Sequence, residues 1–182
     1  MNKMLLGVLF LALSLNLEGP AGNVIDLAPD FVGYLLLAFG AKEVNHWSVN
    51  FRKIEKTGIL FAICTLVTWA QKALNLGNDL SVVGLLVDLL QVCIQLVVLR
   101  WIYRGFHAVE LQTDYELRSV VMNYVWIGLA VISVINTFVG FFPVIREIAG
   151  FTTMALAVCY MIAFFRCKCY YDDAMDELAE EE

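Results

Sequence analysis

The stretch VVMNYVWIGLAVISVINTFVGFF, Val120 to Phe142, runs for 23 residues without one Asp, Glu, Lys or Arg. As an α-helix it would be about 34 Å long, enough to cross a hydrocarbon core of roughly 30 Å. A soluble helix of that length needs a polar face, and this one has no charge with which to build it. The run therefore reads as a membrane span. Working outward from it, further apolar segments lie at Val144 to Phe165, Leu80 to Ile102, Thr57 to Ala70, Leu27 to Val44 and Met4 to Leu17. The sequence predicts an all-α fold, a polytopic transmembrane helical bundle of six spans in which residues 1–170 form a single domain.

Composition agrees. Of 182 residues, 60% are hydrophobic and 16% charged, against about 45–50% and about 25% in soluble domains. The net charge of −6 says little about partners, because Asp172 to Glu182, DDAMDELAEEE, holds seven acids and no base. Residues 171–182 read as an acidic cytoplasmic tail, expected to be disordered. No basic arm points to nucleic acid, and the expected partner is the lipid bilayer.

Orientation follows from the bases, since Lys and Arg are retained in short cytoplasmic loops. Lys3, Lys42, Arg52, Lys53, Lys56, Arg100, Arg104, Arg118, Arg166 and Lys168 fall on one side, ten of the twelve bases. Only Lys72 and Arg146 fall on the other, so both termini are expected in the cytoplasm. The first span, at 14 residues, makes about 21 Å of helix and is short for a crossing. Lys3, the apolar Met4 to Leu13 and the small residues Gly19 to Ala21 also fit a cleaved signal peptide, which is the competing reading. In the second loop Val44, Trp47, Phe51 and Ile54 recur at spacings of three and four, with Arg52, Lys53 and Lys56 elsewhere. That pattern fits a short amphipathic helix in the inner interface, drawn to anionic lipid, or a connector packed on the bundle. A weak internal echo links LNLEGPAGNVIDLAPDFVGYLLL with LNLGNDLSVVGLLV, as in transporters built from repeats.

Asp88 is the most costly residue to insert. It lies about 12 Å into the fourth span, where an ionised carboxylate costs at least ~2.5 kcal/mol. At 100° per residue Ser81, Gly84, Asp88, Gln91 and Gln95 share one face. Thr57, Cys64, Thr65, Thr68 and Lys72 do so on the third span, and Ser133, Asn136, Thr137 and Gly140 on the fifth. The functional reading is an outward polar cavity for an ion, a proton or a small solute, lined by Asp88, Gln91, Gln95, Thr65, Thr68 and Asn136. The competing reading is interhelical hydrogen bonding that holds the bundle together.

A second candidate set is acidic. In IDLAPDFVGYLLL, Ile25 to Leu37, Asp26 is placed to cap a helix beginning at Leu27, and Pro29 and Asp30 suit its first turn. With Glu18, Asp79 and Glu147 these acids make the outer face negative, which could attract a cation or cationic solute. Catalysis at this face would need Asp26, Asp30 and Asp79 to converge on a metal. The expectation is that no metal, cofactor or catalytic residue is present. His46 and His107 fall in expected cytoplasmic loops, and HExxH, GxSxG, P-loop and GxGxxG arrangements are absent. Cys64, Cys93 and Cys159 read as packing residues. Cys167 and Cys169, in a reducing compartment, read as unmodified thiols, with acylation or metal binding the competing reading.

The block NVIDLAPDFVGYLLLAFGAKEV resembles a family of uncharacterised bacterial polytopic membrane proteins that share I-D-x-x-P-D-F-x-G-Y at the start of the second span. Here Ile25, Asp26, Pro29, Asp30, Phe31, Gly33 and Tyr34 meet the pattern. The resemblance implies a multi-pass protein of a bacterial inner (plasma) membrane and brings no activity with it. In length and span count the chain also looks like the substrate-binding subunits of energy-coupling-factor vitamin transporters. That likeness implies an outward pocket and a second membrane subunit docked on small residues at four-residue spacing on the first span, a pattern from which Gly7, Leu11 and Ser14 depart here. The function expected is a non-enzymatic solute- or ion-interacting or accessory membrane component. The alternatives are such a transporter subunit and a structural or regulatory membrane protein without a ligand.

Overall fold

The computed structural model describes residues 1–12, 16–18, 24–26, 29–73, 82–138 and 143–180, the side chains of 16–18, 24–26, 71–73, 82–85, 88, 137–138, 143–146 and 179 excepted. Six helices and one short strand pair follow in the order α1 Asn2–Ala12, β1 Asn16–Glu18, β2 Val24–Asp26, α2 Asp30–Val44, α3 Val49–Ala73, α4 Val82–Thr113, α5 Ser119–Phe138 and α6 Pro143–Glu180. Each helix packs on the next, and α6 returns to α1, so the chain closes a ring of helices in sequence order.

Among the described residues three helices are long and apolar enough to cross a membrane, at Leu89–Thr113, Ser119–Asn136 and Glu147–Leu178. The protein is on this ground a membrane protein. The outer surface agrees: Val120, Tyr124, Ile127, Val131 and Val134 form an exposed apolar stripe along α5. Such a stripe would be a liability in water and is ordinary against lipid tails. The other helices fall short by length or composition. α1 has 11 residues and α2 has 15, about 16 and 22 Å respectively. α3 is longer, but Arg52, Lys53, Glu55 and Lys56 fill its first two turns.

One short strand pair accompanies the helices of the all-α fold. β1 and β2 are antiparallel, with Asn16 opposite Asp26, Leu17 opposite Ile25 and Glu18 opposite Val24. Beyond the end of a short helix, backbone N–H and C=O groups still require partners, and two extended arms can supply them to each other. The β-branched Val24 and Ile25 suit the strand. Asp26 is therefore a strand residue and not the cap of a helix starting at Leu27. α2 begins at Asp30, with Pro29 at its N-cap in an extended conformation (φ −66°, ψ 132°) and no side-chain cap. Proline disfavours helix in the residue before it, which moves the start downstream.

α1 is part of the core. Met4 and Val8 are buried, and a Cβ at Gly7 would lie 2.8 Å from the Gly33 carbonyl oxygen. Only glycine allows α1 and α2 to approach at backbone distance here. At the other end of the pair the Met1 ammonium and Lys3 Nζ hold the Glu43 carboxylate, at 2.9 and 2.6 Å. Glu43 lies with Lys42 beyond the last apolar turn of α2, at the polar edge. The Lys3 hydrogen bond, then that of the ammonium, lower its pKa.

The second loop resolves in favour of packing. Phe51 and Ile54 belong to the first turns of α3 and are fully buried, Phe51 edge-on to Phe106 at 5.7 Å between ring centroids. They face the bundle and not the lipid interface. The acidic segment expected as a disordered tail instead continues α6 to Glu180. Tyr171 and Ala174 are buried there, Tyr171 packs on Phe106, and Lys168 pairs with Asp172 one turn on. Apolar residues at that spacing give the acidic helix a face to bury.

Candidate functional site

α4 is the element on which the others converge. Gln95 Nε2 donates to the Leu11 carbonyl at 3.0 Å, supplying a partner at the open end of α1. Trp126 Nε1 on α5 donates to the Leu96 carbonyl at 2.8 Å, and the Tyr160 hydroxyl on α6 to the Leu99 carbonyl at 2.7 Å. Arg100 hydrogen-bonds Asn123 and lies over the rings of Trp126 and Tyr103.

A further polar contact of α4 joins the two sets of candidates that the sequence kept apart. Gln91 Nε2 donates to Asp30 Oδ2 at 2.5 Å, from the first third of α4 to the first turn of α2. Both residues are half-buried. Proline at position 29 ends the extended arm and starts the helix with Asp30 at its positive end, where a carboxylate is favoured. Gln91 arrives because the polar stripe of α4 turns toward the α1–α2 pair. Tyr34, one turn after Asp30 on the same face of α2, is fully buried, and its hydroxyl has no hydrogen-bond partner among the described residues. Phe31 packs edge-on to Trp69 of α3, and Tyr34 edge-on to Phe61. The I-D-x-x-P-D-F-x-G-Y pattern is thus used from Pro29 onward. Pro29 sets the helix start, Asp30 meets α4, Phe31 and Tyr34 meet α3, and Gly33 lets α1 close.

The other candidates stand apart from this contact. Thr65 is buried but donates to the Phe61 and Ala62 carbonyls, and Thr68 to Thr65, all within α3. Asn136 is half-buried on α5. Asp88 sits in α4 one turn before Gln91, and its side chain lies outside the described residues, as do those of Asp26, Lys72, Thr137 and Arg146. Asp79, Ser14 and the LNLGNDL half of the echo lie outside them altogether. Among the described residues no group of three or more His, Cys, Asp or Glu could hold a metal ion. Cys64, Cys93 and Cys159 are exposed on the outer faces of their helices and are not the packing residues expected. Cys167 is buried and donates to the Leu117 carbonyl at 3.1 Å, so it is closed to acylation.

A cluster that sequence reasoning missed lies at the α4–α5 turn. His107 belongs to the far end of α4 and not to a loop. Its Nδ1 is 3.3 Å from Glu110 Oε2 and 3.4 Å from Ser119 Oγ, and the Ser119 hydroxyl hydrogen-bonds the same Glu110 oxygen. Leu111, Glu116, Arg118, Val120 and Val121 complete an open groove of about 460 Å³ with His107 and Glu110. The only signal in the sequence is His and Glu three residues apart. The trio is not a hydrolytic triad: hydroxyl and carboxylate meet one ring nitrogen, and Ser119 is fully buried. It secures the start of α5, where the acidic side chain suits the helix end. Compared with known proteins, the chain matches no protein-family model, no curated protein and no solved structure.

Proposed function

We propose that the chain is a non-enzymatic membrane protein that crosses a bacterial inner membrane six times and holds a small solute or ion between α2 and α4, near the outer face. The observation that carries the reading is the Gln91–Asp30 hydrogen bond. It pairs a carboxylate of the acidic face with the polar stripe that also carries Asp88. Six crossings rest on the six apolar segments of the sequence, three of which coincide with helices long and apolar enough to cross. Both termini in the cytoplasm follow from the ten bases on one side. Reporter fusions should find His46 inside and Gly77 outside, and an external His46 would overturn the orientation. Native mass spectrometry of the detergent-purified protein should show a bound small species that is lost in Asp30→Asn. A bare protein mass under gentle conditions would sink the binding reading.

A second reading, a structural or regulatory component without a ligand, is favoured by the bond that Gln95 of α4 makes to the Leu11 carbonyl of α1. Polar residues used in this way hold helices together. It predicts that Asp88→Asn leaves function intact. For a transporter subunit that docks a partner through α1, Gly7 would have to be open, and it is covered by Gly33 and Leu37.

A further inference from the structure

The groove at the α4–α5 turn carries charges of both signs that are not used up within the protein. At about 460 Å³ it has the size of a small-molecule pocket. Glu110, Glu116 and Arg118 line it together with the exposed side chains of Leu111, Val120 and Val121. Glu110 gives one oxygen, Oε2, to Ser119 and His107 and keeps Oε1 without a hydrogen-bond partner among the described residues. Glu116 and Arg118 are two positions apart, yet neither forms an ion pair among the described residues. Arg118 is nevertheless fixed. Its backbone is left-handed, with φ 55°, which a residue with a Cβ keeps only where its surroundings impose it. Leu117 before it is buried, its carbonyl accepting from the Cys167 thiol at 3.1 Å, and Ser119 after it is fully buried. The guanidinium lies over the Tyr170 ring, 5.7 Å from its centroid, a contact that uses the face of the group and not its N–H edge.

Depth and continuity say what fills the groove. α5 has 20 residues and at about 30 Å matches the hydrocarbon core end to end. Ser119 therefore marks the boundary, and Glu116 and Arg118 just before it fall in the headgroup layer, about 5–8 Å deep. From Val120 the apolar wall of the groove runs on into the exposed stripe of Tyr124, Ile127, Val131 and Val134. A water-soluble ligand has no use for that stripe, whereas a lipid lays its chains along it with the headgroup in the groove.

We infer that the groove binds one phospholipid with a primary-amine headgroup, Arg118 donating to the phosphate and Glu110 and Glu116 accepting from the ammonium. The inference depends on α4 and α5 crossing the membrane and not on the proposed site between α2 and α4. A headgroup without the amine is repelled by the two carboxylates, and a quaternary ammonium has no N–H to donate to them. The test is thermal unfolding of the full chain in detergent micelles that contain equal amounts of phosphatidylethanolamine, phosphatidylglycerol or phosphatidylcholine. For the wild type the midpoint should rise most with phosphatidylethanolamine and saturate with its concentration. Glu116→Gln, at an exposed position, should remove that preference. Arg118→Gln should need about tenfold more of any of the three lipids, the loss expected for one charge-assisted hydrogen bond. Should Arg118→Gln fail to fold, Glu116→Gln decides alone. Equal midpoints with all three lipids in the wild type would overturn the inference, as would a ranking led by phosphatidylglycerol or an undiminished preference in Glu116→Gln. Glycerophosphoethanolamine, the same headgroup without chains, should leave the midpoint unchanged. An equal rise with it would assign the groove to a soluble solute and overturn the lipid.

Discussion

The α1–α3 side of the bundle and the α5–α6 side are equally apolar in sequence, yet they treat the same residue type in opposite ways. Gly7 and Gly33 bring two backbones together, and a Cβ at Gly58 would lie 2.9 Å from that of Ala38. On the other side Gly128 has only Leu156 near it, at 3.5 Å, and Gly150 has nothing within 4 Å. Correspondingly Met4, Tyr34, Leu37 and Ala41 are sealed along the α1–α2 contact, whereas α5, like the outward face of α3, keeps an exposed apolar stripe. In a membrane apolar surface gains nothing in particular from burial against protein, so close contact at small residues, and not hydrophobicity, decides which faces meet.

The largest effect should come from breaking the tight side. Gly7→Leu drives a branched side chain into the Gly33 carbonyl and the backbone of α2, a form of overpacking that costs about 3 kcal/mol or more. Thermal unfolding in detergent should fall steeply, and size-exclusion profiles should lose the monodisperse peak. A variant that unfolds like the wild type would show that α1 does not depend on this contact.

On the looser side the polar ties matter more. Tyr160→Phe removes the hydroxyl that spans from α6 to the Leu99 carbonyl, with an expected cost of about 0.5–1.5 kcal/mol. Its effect should be separable from that of Gly7→Leu by additivity in the double variant, since the two sites share no partner. Gly150→Ala is the counter-case. Alanine is preferred in a helix by up to about 1 kcal/mol and meets no obstacle, so the unfolding midpoint should hold or rise slightly.

The smallest expected effect concerns the clasp at the polar end of α1 and α2. The pKa of Glu43 is lowered in the folded state, first by Lys3 and then by the terminal ammonium. A lowered pKa means that the contribution is present above the unfolded value of about 4.3 and is lost as pH falls through the folded one. The difference between wild type and Glu43→Gln should therefore be constant near neutrality and close below about pH 4. Partial exposure and salt screening keep it small. A gap that stays open in acid would assign the difference to packing instead of charge.

Much of this was legible residue by residue. Val120 to Phe142 announces a span because it carries no charge with which to face water. Asp30 and Gln91 were each recognisable as candidates, since acids and amides in apolar helices are rarely idle. Their pairing was not, because they are 61 positions apart and belong to helices that are not neighbours in the chain. Asp26 looked like a cap, as acids before apolar runs commonly are, and only the partner strand at Asn16 shows it as extended. Phe51 and Ile54 have the spacing of an interfacial helix. That spacing is the same whether the apolar face meets lipid or Phe106.

What the sequence by itself determined is the solvent of each segment. Charge density and run length decide where water, interface and hydrocarbon lie, through transfer free energies that need no knowledge of neighbours. What only the tertiary structure decided is which apolar faces meet protein and which polar residues find each other. Those outcomes depend on backbone approach at Gly7 and Gly33 and on hydrogen bonds between distant positions. Neither leaves a local trace in a chain that is apolar almost throughout.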